Sequence, residues 1–168
     1  MRGGVVRPVA LAVLTLAIVW LSPARSDALV CGLFGCSCAV TMTTLDFGAI
    51  NPLEGLQTAQ GEVEVDCTGL AELFPSIAIK MQSGTWGTIN ARKMRAGAGD
   101  PLDYNIYTSS QHNVIWGNDT SGTAVVASGG LLALGHWNVT RTVYGRVAPS
   151  PATKPGEYSD TVVVRIDW

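Results

Sequence analysis

Charge and histidine are scarce in this sequence, and what is missing removes whole classes of function. Of 168 residues only 14% are charged, against 47% hydrophobic. That balance excludes a disordered, solvated chain and suits a compact fold or a membrane segment. There are two histidines, His112 and His136, in turn-rich stretches without a flanking carboxylate pattern. No G-x-S-x-G elbow, H-E-x-x-H pair, phosphate-binding loop or dinucleotide fingerprint occurs, so an enzyme has little to stand on. Sustained helical periodicity is missing too; only "GLAELFP" suggests one helical turn.

What is present begins with an apolar run. "MRGGVVRP" supplies two arginines, and "VALAVLTLAIVWL" continues apolar from Val9 to Leu21. The run is short for a bilayer span and suits the core of a secretory signal. Ala24 or Ala28 is the candidate residue before the cut. Ala28 is preferred, because Ser26 and Ala28 form a small-x-small pattern. Residues 1–28 are therefore expected to be a signal peptide, and 29–168 a single exported domain. Without 1–28 the chain carries eight basic and twelve acidic residues, a net charge of −4. That gives no electrostatic reason to expect nucleic acid as a partner.

Export decides the chemistry of the four cysteines, Cys31, Cys36, Cys38 and Cys67. An even number in an exported chain reads as disulfides rather than as a metal site. Cys38 opens one extended segment and Cys67 closes the next, so Cys38–Cys67 is the expected staple. Cys31–Cys36 would then be a local ring, with Cys31–Cys67 the alternative pairing.

The rest reads as strands and turns. "GEVEVDC" puts Val63, Val65 and Cys67 on one face and Glu62, Glu64 and Asp66 on the other. "SIAIKMQSG" turns Ile77, Ile79 and Met81 inward, and "PLDYNIYTS" does the same with Leu102, Tyr104 and Ile106. "CAVTMTTLDFG", "HNVIWG" and "WNVTRTVYGRV" are further extended segments. The terminal "GEYSDTVVVRIDW" alternates Val162, Val164, Ile166 and Trp168 with Thr161, Val163, Arg165 and Asp167. Six main strands punctuated by Gly, Pro, Asn and Asp imply an all-β sandwich or barrel. The simplest immunoglobulin-like sandwich has seven, so the terminal strand is expected to border an open groove that another chain fills.

Several of these pieces, in order, resemble the spore coat protein U domain, shared with the subunits of archaic chaperone–usher pili. They are "CAVTMTTLDFGAINP", "VEVDC", "ARKM", "LDYNIYTSSQHNVIWG" and "TVYGRVAPSPATKPGEYSDTVVVRIDW", spread over essentially all of residues 29–168. The resemblance implies an incomplete immunoglobulin-like β-sandwich lacking its last strand and completed by donor-strand complementation. It implies a periplasmic chaperone, an outer-membrane usher and neighbouring subunits as partners, and a route through the periplasm to the cell surface. Neither cofactor nor small-molecule substrate nor catalysis is implied. Cys38 and Cys67 match the family's staple, and Val162, Val164, Ile166 and Trp168 match its groove-bordering terminal strand. The expected donor segment is short: before Cys38 stands only "LVCGLFGCS", with Leu29, Leu33 and Phe34 as plug residues. A terminal or minor pilus subunit, or a coat protein, fits that shortness.

Other features have plainer readings. His112 and His136 are expected in exposed loops, and Asp100 and Asp103 in a turn feeding a strand. "RKMR" at 92–95 is expected at the surface. The sequons at Asn118 and Asn138 carry little weight in a bacterial family. The alternative function is adhesion at a pilus tip through the stretch from Gln111 to Trp137, where Trp116 and Trp137 would have to be exposed. As core anchors of their strands they would argue against it.

Overall fold

The computed structural model describes residues 36–73, 76–99, 101–128 and 132–167. The expected signal peptide, the Cys31–Cys36 ring, Leu29, Leu33, Phe34 and Trp168 lie outside the described residues or depend on them.

The described residues are all β, in nine strands: β1 (Cys36–Met42), β2 (Gln57–Leu73), β3 (Ser76–Met81), β4 (Trp86–Thr88), β5 (Ala91–Met94), β6 (Leu102–Tyr107), β7 (Val125–Ser128), β8 (Leu132–Val147) and β9 (Val164–Asp167). They form a six-stranded sheet in the order β1-β2-β8-β6-β5-β4 and a three-stranded sheet in the order β7-β3-β9, with every strand pairing antiparallel. The core is the layer between them. Period-two alternation builds it directly: Val63, Val65 and Cys67 from β2, Ile77, Ile79 and Met81 from β3, and Val143 and Val147 from β8 are all nearly inaccessible to water.

Cys38 and Cys67 face each other in the β1–β2 register, with Cα atoms 4.1 Å apart, and are bonded. The bond closes a loop of 29 residues, worth about 3.5 kcal/mol in lost unfolded-state entropy.

Four local expectations need correction. "GLAELFP" makes no helical turn over its described part, because β2 runs on to Leu73 and pairs with Leu132 across a bulge between Gly69 and Glu72. Pairing to a long partner overrides a weak helical tendency. "HNVIWG" is not a strand but contributes single bridges at Ile115 and Trp116. "RKMR" is not a surface cluster, since Arg92 lies on the inward face of β5 and is fully buried. The strand total rises from six to nine because β4, β5 and β7 are three or four residues long, too short for alternation to register in the sequence.

A candidate strand-accepting groove

Past Met42 the first strand leaves its partner. Thr43 is the last residue whose backbone pairs with β2: its amide donates to the Glu62 carbonyl at 2.9 Å, and its Oγ1 accepts the Glu62 amide at 2.6 Å. From there Leu45, Phe47 and Ile50 turn half-buried toward the core. Leu45 and Phe47 lie directly over Gly145 of β8. A Cβ at that position would sit 2.5 Å from Leu45 Cδ2 and 2.8 Å from Phe47 Cζ, so a larger residue would push these two side chains aside. Phe47 also meets Tyr104 edge-on, with ring centroids 6.4 Å apart.

A second segment faces this one. Ser159 exchanges two backbone hydrogen bonds of 3.1 Å with Arg95. The chain then crosses to the other sheet, where the Val163 carbonyl accepts the Gln82 amide at 3.0 Å and β9 begins its pairing with β3. Between the two segments runs a groove of about 710 Å³, walled by residues 42–50 on one side and 153–162 on the other and floored by Met94, Tyr104 and Ile106. Among the described residues, no backbone hydrogen bond joins the two walls, and β9 is paired on one edge only. The lining is mainly apolar, and within it the Tyr104 hydroxyl donates to Asp160 Oδ2 at 2.6 Å. Burial, reinforced by the bond to Asp160, raises the Tyr104 pKa above that of an ordinary phenol.

The residues singled out in the sequence are distributed as follows. Val162 lines the groove. Val164 is half-buried against the core, and Ile166 is inside it at 5% exposure. Trp116 is fully buried, with its indole N–H donating to the Ile79 carbonyl at 2.8 Å, and Trp137 is half-buried against the same core. His136 is exposed and 2.7 Å from Asp66. His112 is half-buried rather than exposed: it packs edge-on against Tyr107, centroids 5.2 Å apart, in a turn with φ 51°. Asp103 is exposed and paired with Lys93, while Asp100 lies outside the described residues. No three His, Cys, Asp or Glu side chains among the described residues gather as a metal site would require. Sequence reasoning missed Leu45, Phe47, Tyr104 and Asp160 as groove residues. Leu45, Asp46 and Phe47 do show a short alternation, which is the one signal that pointed there.

Two antiparallel sheets packed over a shared apolar layer define an immunoglobulin-like β-sandwich. The chain belongs to the Spore Coat Protein U domain family, whose model matches residues 32–165. No curated protein matches it. Among solved structures it is similar to a chain of the CsuC–CsuE chaperone–tip adhesion subunit pre-assembly complex, from archaic chaperone–usher Csu pili of Acinetobacter baumannii. The TM-score is 0.51 at 19% identity, over 79% of this chain and 40% of that one. A second likeness, to a chaperone–tip adhesin complex of CFA/I fimbriae biogenesis, has a TM-score of 0.46 at 12% identity, over 79% of this chain and 52% of that one. This chain thus spans about two fifths of the first neighbour and half of the second, and the likeness concerns the fold.

Proposed function

We propose that this protein is an exported structural subunit of a bacterial surface pilus or coat, assembled by donor-strand exchange. The groove carries the reading: two walls, with no backbone hydrogen bond between them among the described residues, flank a mainly apolar floor. Its volume alone would also suit a small molecule. The absence, among the described residues, of any backbone hydrogen bond from wall to wall suits a β-strand better, because a strand can supply N–H and C=O groups to the walls and apolar side chains to the floor. A periplasmic chaperone, an outer-membrane usher and neighbouring subunits are the partners this mode requires. Residues 1–28 serve as the export signal and 29–168 as the assembling domain. The role is structural, not enzymatic. Adhesion through the Gln111–Trp137 stretch is disfavoured, since Trp116 is sealed in the core and Trp137 packs against it.

The test is complementation by a synthetic peptide of about twelve residues alternating valine and threonine. At a hundredfold excess over Kd it should stabilise the protein by roughly 2.7 kcal/mol, seen as a raised Tm, and Val162→Asp should abolish the gain. A Tm indifferent to every such peptide would remove the strand-acceptor reading.

A further inference from the structure

The wall formed by residues 158–163 is held at its weakest point by one side chain. Backbone pairing secures the segment on the β5 side at Ser159 and on the β3 side at Val163, but not at the crossing between the sheets. There the Asp160 carboxylate takes over. Its Oδ2 accepts from the Tyr104 hydroxyl at 2.6 Å, and its Oδ1 accepts the backbone amides of Thr85 and Thr161 at 2.8 Å each. One carboxylate therefore ties the wall to β6 and to the loop after β3. The loop is shaped around it: Gly84 has φ +86°, and a Cβ there would lie 2.2 Å from Asp160 Oδ2. Glycine is required twice over, by backbone conformation and by the space the carboxylate fills.

An open apolar groove costs free energy in water, so the two walls gain by closing onto each other. Among the described residues, no main-chain bond between them sets a stopping distance. We propose that Asp160 is a positioning residue that keeps the groove open: through Tyr104 and Thr85 it props the 158–163 wall away from the 43–50 wall, in the spacing an incoming strand needs. The inference rests on the groove being a strand acceptor and adds the device that maintains its receptive shape. Once a strand is seated, that strand holds both walls, and the prop becomes redundant. The consequence is asymmetric. Removing the prop slows entry without hastening exit, whereas a side chain that merely stabilised the fold would weaken the filled state as well.

The measurement is association and dissociation of the same alternating valine–threonine peptide, labelled with a fluorophore, on the purified protein by stopped flow. Asp160→Ala should slow association on the order of tenfold, matching the loss of charge-assisted hydrogen bonds, and leave the dissociation rate unchanged. Asp160→Asn keeps an oxygen for the two amides and should recover most of the rate. Tyr104→Phe deletes one bond of the strut and should fall between wild type and Asp160→Ala; it carries the test by itself should Asp160→Ala not fold. Wild-type association in Asp160→Ala or Tyr104→Phe would overturn the proposal, as would a slowing matched by an equally faster dissociation. If the wild-type protein binds no such peptide, the acceptor reading falls and the strut falls with it; if the wild type binds and the variants match it, only the strut falls.

Discussion

Arg92 is a cation in a hydrophobic core, hydrogen-bonded to no carboxylate among the described residues. Its Nε donates to the Gln82 carbonyl at 3.0 Å and one terminal nitrogen to Asn105 Oδ1 at 2.6 Å. The other terminal nitrogen reaches the carbonyls of Met81, Gln82 and Trp116 at 3.1, 2.8 and 3.0 Å. The acceptors belong to β6, the end of β3 and the segment between β6 and β7, so one planar fork joins both sheets. Burial lowers the guanidinium pKa, while the nearby Tyr104 and Asp160 act in the opposite sense. A lysine could not replace it, being a single point of charge on a flexible stem. Arg92→Met would leave buried carbonyls without donors, a cost of at least about 3 kcal/mol. Urea unfolding should show that loss for Arg92→Met and little recovery for Arg92→Lys; a change under about 1 kcal/mol would mean the carbonyls find other donors.

At the scale of elements, β9 and the wall before it divide two jobs along one stretch of chain. Val162 looks into the groove, whereas Ile166 is packed in the core at 5% exposure. Replacing Ile166 by Asp therefore tests folding, and replacing Val162 tests the groove. β9 is anchored to β3 on its outer face by charge: Lys80 Nζ lies 2.7 Å from Asp167 Oδ2, and Arg165 Nε donates to Asp167 Oδ1 at 2.7 Å. The hydrogen bond from Lys80 is the main reason the Asp167 pKa sits below the usual carboxylate range, partly opposed by desolvation. A depressed carboxylate stabilises the fold fully above its unfolded pKa, about 4, and loses that contribution as pH falls through the lower folded value. The stability of wild type minus that of Asp167→Asn should thus be constant at neutral pH and shrink below about pH 4. Parallel pH profiles for the two proteins would show that the pair does not hold β9.

For the whole molecule, the two sheets are not equally secured. The larger sheet carries the disulfide between its edge strand β1 and β2, near the start of β1, while the chain departs to form a groove wall past the strand's other end at Met42. Cys67→Ser removes that cross-link and leaves Cys38 facing a hydroxyl in a nearly inaccessible position. The expected loss is about 3.5 kcal/mol, read as a lower Tm and a lower yield of exported protein. A variant as stable as wild type would show that pairing with β2 alone holds β1 in place.

Alternation along the chain determined much by itself: the all-β class and the inward faces of β2, β3 and β6. Each of these depends on neighbours two residues apart, whose side chains point to opposite faces whatever the rest of the chain does. Tertiary structure alone decided the burial of Arg92 and the shape of the groove. Tyr104 meets Asp160 across 56 residues, and Thr85 meets it across 75. No local pattern encodes such meetings, because a buried polar group is tolerated only where distant segments happen to supply its partners. A short strand with an arginine at an inward position therefore reads as surface until the carbonyls that surround it are known.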